Sequence, residues 1–203
     1  MIVRSMDRSM KARRRFGAHP ALPIALGLAA ICAALPVSTA AARGASIAAS
    51  FPLKIAGFVR STLTDSESRR PGVGWSASYR KGMISADVFT YTLGRSDIPA
   101  GYNGQATQDQ LAQAGREIKA AVDKDVYRLA EAGRALVISS DDSPDRLDCD
   151  RYNIVTQNSE HFDTLVCVTT RDGKFLKFRL VGPEGRLNNA SITPFLQAWL
   201  RRS

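Results

Sequence analysis

Hydrophobic and polar positions alternate over much of residues 51–182, and one long stretch with a helical period interrupts them. Leu53 and Ile55, followed less regularly by Phe58 and Val59, suggest a first strand that ends near Arg60. The stretch 64–72 is charged and rich in breakers, which predicts a surface loop. Val73, Trp75, Ala77 and Tyr79 then alternate with Gly74, Ser76 and Ser78, the pattern of a half-buried strand. Lys81-Gly82 marks a tight turn, and Ile84 to Leu93 reads as the returning strand.

A Gly- and Pro-rich loop over 94–106 leads into the helical stretch. Thr107 is placed to cap it, with Gln110 three residues on to complete a capping pair. Leu111, Ala114, Ile118, Val122, Val126 and Leu129 fall on one face at steps of three or four, and Gly133 can end the helix in a left-handed conformation. At 1.5 Å per residue, about 26 residues make a rod of roughly 39 Å, long enough to lie across a whole sheet.

Ala135 to Ile138 is a short apolar strand, and Asp141 to Asp150 an acidic connection. Residues 147–155, 163–171 and 174–182 read as three successive antiparallel strands. Asp172-Gly173 suits a two-residue turn, because glycine tolerates the positive φ of type I′ geometry. Pairing about it sets Leu165, Cys167 and Thr169 against Leu180, Phe178 and Leu176 on one apolar face. Thr193-Pro194 opens a C-terminal helix that docks through Phe195, Leu196, Trp199 and Leu200, with Arg201 and Arg202 at its negative dipole end. The expected fold class is α+β: an antiparallel β-sheet of about six strands packed by one long amphipathic helix and a short C-terminal helix.

The first 42 residues follow a different grammar. Arg4, Arg8, Lys11 and Arg13 to Arg15 precede an uninterrupted apolar stretch of fourteen residues, Leu22 to Leu35; Pro36 and the small residues of 37–42 come next. This is the tripartite pattern of a secretory signal peptide, and the apolar stretch is shorter than the roughly 20 residues that span a bilayer. The expected organisation is therefore a signal peptide over 1–42, a flexible lead-in over 43–50 and a single domain over 51–203. Arg13-Arg14-Arg15-Phe16 resembles a twin-arginine signal only in part, so the general secretory route is favoured for a periplasmic or secreted product. Removing six cations and one anion with the leader lowers the net charge from +9 to +4. Overall basicity then gives no argument for a nucleic-acid partner.

Export also changes the meaning of the cysteines. After leader removal only Cys149 and Cys167 remain, in an oxidising compartment. Each lies nine residues from Asn158, so a hairpin symmetric about that point would face the two thiols and allow a structural disulfide.

Candidate chemistry is sparse. The hydroxyl of Ser159 and the carboxylate of Glu160 are only sequence neighbours of His161, which does not make a triad. The 141–150 run lacks the ligand spacing and central glycine of a calcium loop, and no other metal set is apparent. Gly101-Tyr102-Asn103-Gly104 lacks the Gly-Lys-Ser/Thr ending of a phosphate loop. No catalytic residue and no cofactor is implied. For binding, Arg69 and Arg70 stand near Trp75 and Tyr79, and together with Tyr102 they mark the loops best able to form a rim.

The order of strands, long helix, antiparallel meander and C-terminal helix ending Phe195-Leu196-Gln197-Ala198-Trp199-Leu200 resembles the PsbP-like α/β/α sandwich. Gly57-Phe58-Val59-Arg60, Gly72-Val73-Gly74-Trp75-Ser76, Val88-Phe89-Thr90-Tyr91 and Ile98-Pro99-Ala100-Gly101 look like phrases of a group of uncharacterised exported proteobacterial proteins. The resemblance implies an accessory or binding module over 51–201. The expected function is a non-enzymatic accessory or binding domain of the cell envelope, its partner an envelope protein or a small ligand. The alternative is a small envelope hydrolase using His161 with a carboxylate from the 141–150 loop.

Overall fold

The structure, a computed structural model, describes residues 50–141 and 143–202. The expected signal peptide and the lead-in up to residue 49 lie outside the described residues. Nine strands form one antiparallel sheet: β1 (Lys54–Ile55), β2 (Phe58–Asp65), β3 (Trp75–Lys81), β4 (Ile84–Tyr91), β5 (Tyr127–Ala132), β6 (Leu136–Ser140), β7 (Ser143–Thr156), β8 (His161–Arg171) and β9 (Lys174–Pro183). The helices are α1 (Gln105–Asp123) and α2 (Asn189–Leu200). The strands run β1-β2-β3-β4-β9-β8-β7-β5, and β6 also pairs with β7. β5 takes Tyr152 to Thr156 of β7, and β6 takes Ser143 to Cys149, so two short strands lie end to end along one long one.

The mixed α+β class holds, with nine strands where about six were expected. The expected first strand is a small hairpin, because Ala56 and Gly57 take positive φ (48° and 84°) and turn the chain between β1 and β2. β2 then continues to Asp65, into the expected loop. The acidic connection before Asp150 is mostly the first half of β7: Leu147 and Cys149 are buried on one face while Asp148 and Asp150 face the other way.

The helix is shorter than its apolar period suggested. Asp125 adopts φ 56°; its N–H donates to the Val122 carbonyl and that of Val126 to Ala121, the paired bonds of a left-handed C-cap. The chain then leaves as β5, which carries Val126 and Leu129 away from the helix. At the other end Gly104 is the N-cap, and Thr107 is buried inside the first turn with its hydroxyl donating to the Gly104 carbonyl. α2 likewise starts earlier than Thr193-Pro194: the Asn188 side chain accepts the Ser191 N–H at 3.1 Å, and Pro194 lies within the helix.

The two hairpins that the sequence arithmetic centred on Asn158 and Asp172-Gly173 have the expected register, Cys149 opposite Cys167 and Leu165, Cys167 and Thr169 opposite Leu180, Phe178 and Leu176. Asp172 and Gly173 both take positive φ, as a type I′ turn requires. Strand alternation sorts the interior into two clusters on opposite faces of the sheet. On one face Phe58, Tyr79, Cys167 and Phe178 pack under α2, where Phe195 lies with its ring centroid 4.4 Å from that of Phe58 and 5.7 Å from that of Tyr79. On the other, Val166, Val168 and Phe175 pack under Leu111, Ala114 and Ile118 of α1. Each aromatic ring buried this way contributes on the order of 2–3 kcal/mol.

Cys149 and Cys167 are joined by a disulfide, their Cα atoms 4.0 Å apart across β7 and β8. Among the described residues no helix is long and apolar enough to cross a membrane.

Candidate functional site

One end of the sheet gathers the C-terminal ends of β2, β4, β8 and α2 with the starts of β3 and β9. The loop joining β2 to β3 is built by Glu67, whose carboxylate accepts the backbone N–H groups of Gly72 (2.9 Å) and Gly74 (2.8 Å). Both glycines have positive φ and lie against the chain leaving β4: a Cβ on Gly74 would stand 1.8 Å from the Thr90 carbonyl oxygen. The loop is thereby clasped against β4, and Trp75 is set at the start of β3.

Trp75 and Trp199 are the two tryptophans of the chain, and both line this end. A cavity of about 130 Å³ is bounded by Glu67, Gly74, Trp75, Thr90 and Lys174. A second, of about 310 Å³, is bounded by Thr90, Arg171, Lys174, Trp199 and Arg202. They adjoin across Thr90 and Lys174 and make one cleft between the end of α2 and the strands.

Arg171 holds the cleft together. Its Nε lies 3.2 Å from an Asp145 carboxylate oxygen, and its guanidinium donates to the Trp199 carbonyl at 3.2 Å and to that of Arg202. The Trp199 carbonyl also accepts the Arg202 backbone N–H, so Arg171 adds a second donor at the end of α2. Arg202 lies with its guanidinium carbon 5.9 Å from the Trp199 ring centroid, a cation–π distance. Trp199 is 5% exposed, and its indole N–H has no hydrogen-bond partner. Such a buried donor without an acceptor costs about 1–3 kcal/mol. Lys174 is exposed and makes no ion pair among the described residues. The cleft is lined by the cations Lys174 and Arg202, charge that favours a negatively charged acceptor.

Arg69 and Arg70 stand exposed on the loop whose Glu67 and Gly74 line the cleft, and neither is among the residues that bound it. Tyr102 is carried on the α1 side, where Gly101 bridges to Thr170 and the Arg146 guanidinium lies 5.7 Å from the tyrosine ring. The structure thus does not place Tyr102 among the residues lining the cleft. Lys174, Trp199 and Arg202 did not figure among the sequence's binding candidates; Trp75 did, beside Arg69 and Arg70, whereas Trp199 was legible only as apolar packing.

His161 is exposed, its Nδ1 3.6 Å from a Glu184 carboxylate oxygen. It pairs with Val155, while Asp150 pairs with Val166, so the 141–150 run begins five rungs along the ladder, roughly 17 Å away at strand rise. The structure does not bring His161 and those carboxylates together. An open notch of about 810 Å³ lies along β6, where Arg134, Asp148, Arg151 and Asn189 meet. Arg151 is already engaged there, donating to the Leu187 carbonyl at 2.6 Å and pairing with Asp163 at 3.6 Å. Among the described residues no three His, Cys, Asp or Glu side chains form a set that would hold a metal ion. No family model matches the chain, and no curated protein matches it.

Proposed function

We propose that the chain is an exported, non-enzymatic accessory or binding domain of the bacterial cell envelope, and that it takes an anionic group of its ligand in the cleft between α2 and the ends of β3, β4 and β9. The observation that carries the reading is the pair of cations Lys174 and Arg202, which line the cleft together with Trp199. Arg69 and Arg70, on the loop joining β2 to β3, supply longer-range attraction. The disulfide and the leader grammar of residues 1–42 support a periplasmic or secreted location reached by the general secretory route.

Because both tryptophans line the cleft, their emission reads its occupancy directly. Titration with inorganic phosphate should change the emission saturably, and Lys174→Glu should abolish the change. An emission that never responds to phosphate, or responds equally in the variant, overturns the cleft as the binding site. Export is tested separately by intact mass of the envelope fraction. A chain that starts between residues 41 and 43 and gains the mass of two hydrogens on reduction is expected; a full-length cytosolic chain with free thiols defeats it.

A further inference from the structure

α2 ends at Leu200, and the strand register shows which side chains lie open beside it. Trp75, Thr90 and Leu176 are direct neighbours across β3, β4 and β9, on the face of the sheet that α2 covers. All three are half-buried. Lys174 precedes Leu176 by two residues, so it stands on the same face about 7 Å further along β9, opposite Arg171 of β8. The floor of the cleft therefore runs from an aromatic surface at Trp75, over Thr90 and Leu176, to a cationic end. Trp199 and Arg202 wall it from α2.

The two ends of this floor differ in charge. At the cationic end Arg171 is paired with Asp145, and Asp172 is exposed on the turn that leads to Lys174. Lys174 and Arg202 make no ion pair among the described residues. At the other end stands the Glu67 carboxylate, held by the N–H groups of Gly72 and Gly74. A ligand with one negative charge is favoured when that charge lies toward Lys174, and a second charge at its far end meets Glu67. Between the two ends Trp75 offers a flat apolar surface, which suits a rigid ring because a ring loses no rotamers on stacking. We propose that the ligand is an aromatic monocarboxylate, its carboxylate on Lys174 and Arg202 and its ring on Trp75 and Leu176, with Glu67 rejecting a second anion. The inference rests on the cleft being the anion site, and adds to it the ring and the single charge.

The chain has two tryptophans, so two indole N–H resonances report the two walls of the cleft in NMR of the oxidised protein. Sodium phenylacetate should shift the Trp75 resonance and the amides of Thr92 and Lys174 saturably, with an affinity at least about tenfold above that of acetate. The para-carboxy derivative of phenylacetate carries a second carboxylate across the ring, and it should bind at least about tenfold more weakly than phenylacetate itself. Lys174→Glu, at an exposed position, should lose phenylacetate binding, and Trp75→Leu should bind it no more tightly than acetate. If phosphate binds the wild type but phenylacetate binds no more tightly than acetate, the aromatic assignment is overturned and the anion cleft stands. If none of the three anions moves the spectrum, both are overturned. Equal affinity for the dianion, or shifts centred away from Trp75, Thr92 and Lys174, also defeats the proposal. The wild-type series decides the matter even if Trp75→Leu does not fold.

Discussion

Tyr79 shows what one buried polar atom does to the pH range of the whole protein. It has no exposed surface, and its hydroxyl donates to the Pro52 carbonyl at 3.1 Å. Burial disfavours the phenolate and raises the pKa from 10.0 to about 12, against the weaker pull of Arg60 and Arg202. Because the folded pKa is raised, the stabilising contribution is complete below pH 10 and is lost as pH rises toward about 12. Denaturant midpoints measured across that window should fall in the wild type and fall less in Tyr79→Phe, which cannot ionise. Tyr91 is raised by burial in the same direction, so Tyr91→Phe serves as the parallel control. Gly74 is constrained as tightly by its backbone: φ is 74° and the Thr90 carbonyl fills the space of a side chain. Gly74→Ala should cost about 3 kcal/mol or free the 66–74 loop, seen as faster amide exchange at Gly72 and Gly74.

At the scale of elements, the end of α1 is set by a residue poorly suited to it. Asp125 holds a left-handed conformation that glycine adopts without strain. Asp125→Gly should raise stability by about 0.5–1 kcal/mol in thermal unfolding, with α1 unchanged in length. This cap also explains where reading the sequence failed. The apolar period continues smoothly through Val126 and Leu129, so periodicity alone carried the helix on to Gly133; pairing of Leu129 to Ala132 with β7 won instead. The hairpins about Asn158 and Asp172-Gly173 were legible because turn chemistry and apolar alternation agree there. Only residues 143–146 of β7 were hidden, in the acidic connection, since the alternation from Leu147 on already reads as strand. Of the residues bounding the cleft, only Trp75 figured among the sequence's binding candidates. Lys174 and Trp199 are brought together by the register of β9 and the docking of α2, which local patterns do not contain.

For the whole molecule, the disulfide ties β7 to its sheet neighbour β8. Closing the loop between residues 18 apart contributes roughly 3 kcal/mol through the unfolded chain. Calorimetry with and without reductant should show Tm lower by about 6–12 °C on reduction. The fold is expected to survive, because both faces of the sheet keep their helices and their aromatic packing.

The joint between β5 and β6 has a practical meaning. Gly133, Arg134 and Ala135 are exposed, and the strands on either side are anchored independently along β7. A flexible epitope of several residues spliced between Arg134 and Ala135 would extend outward from this seam without disturbing either ladder. Such a graft should leave Tm essentially unchanged while creating a handle on a segment that does not line the tryptophan cleft, so that immobilisation for ligand screening would leave that cleft open to solution.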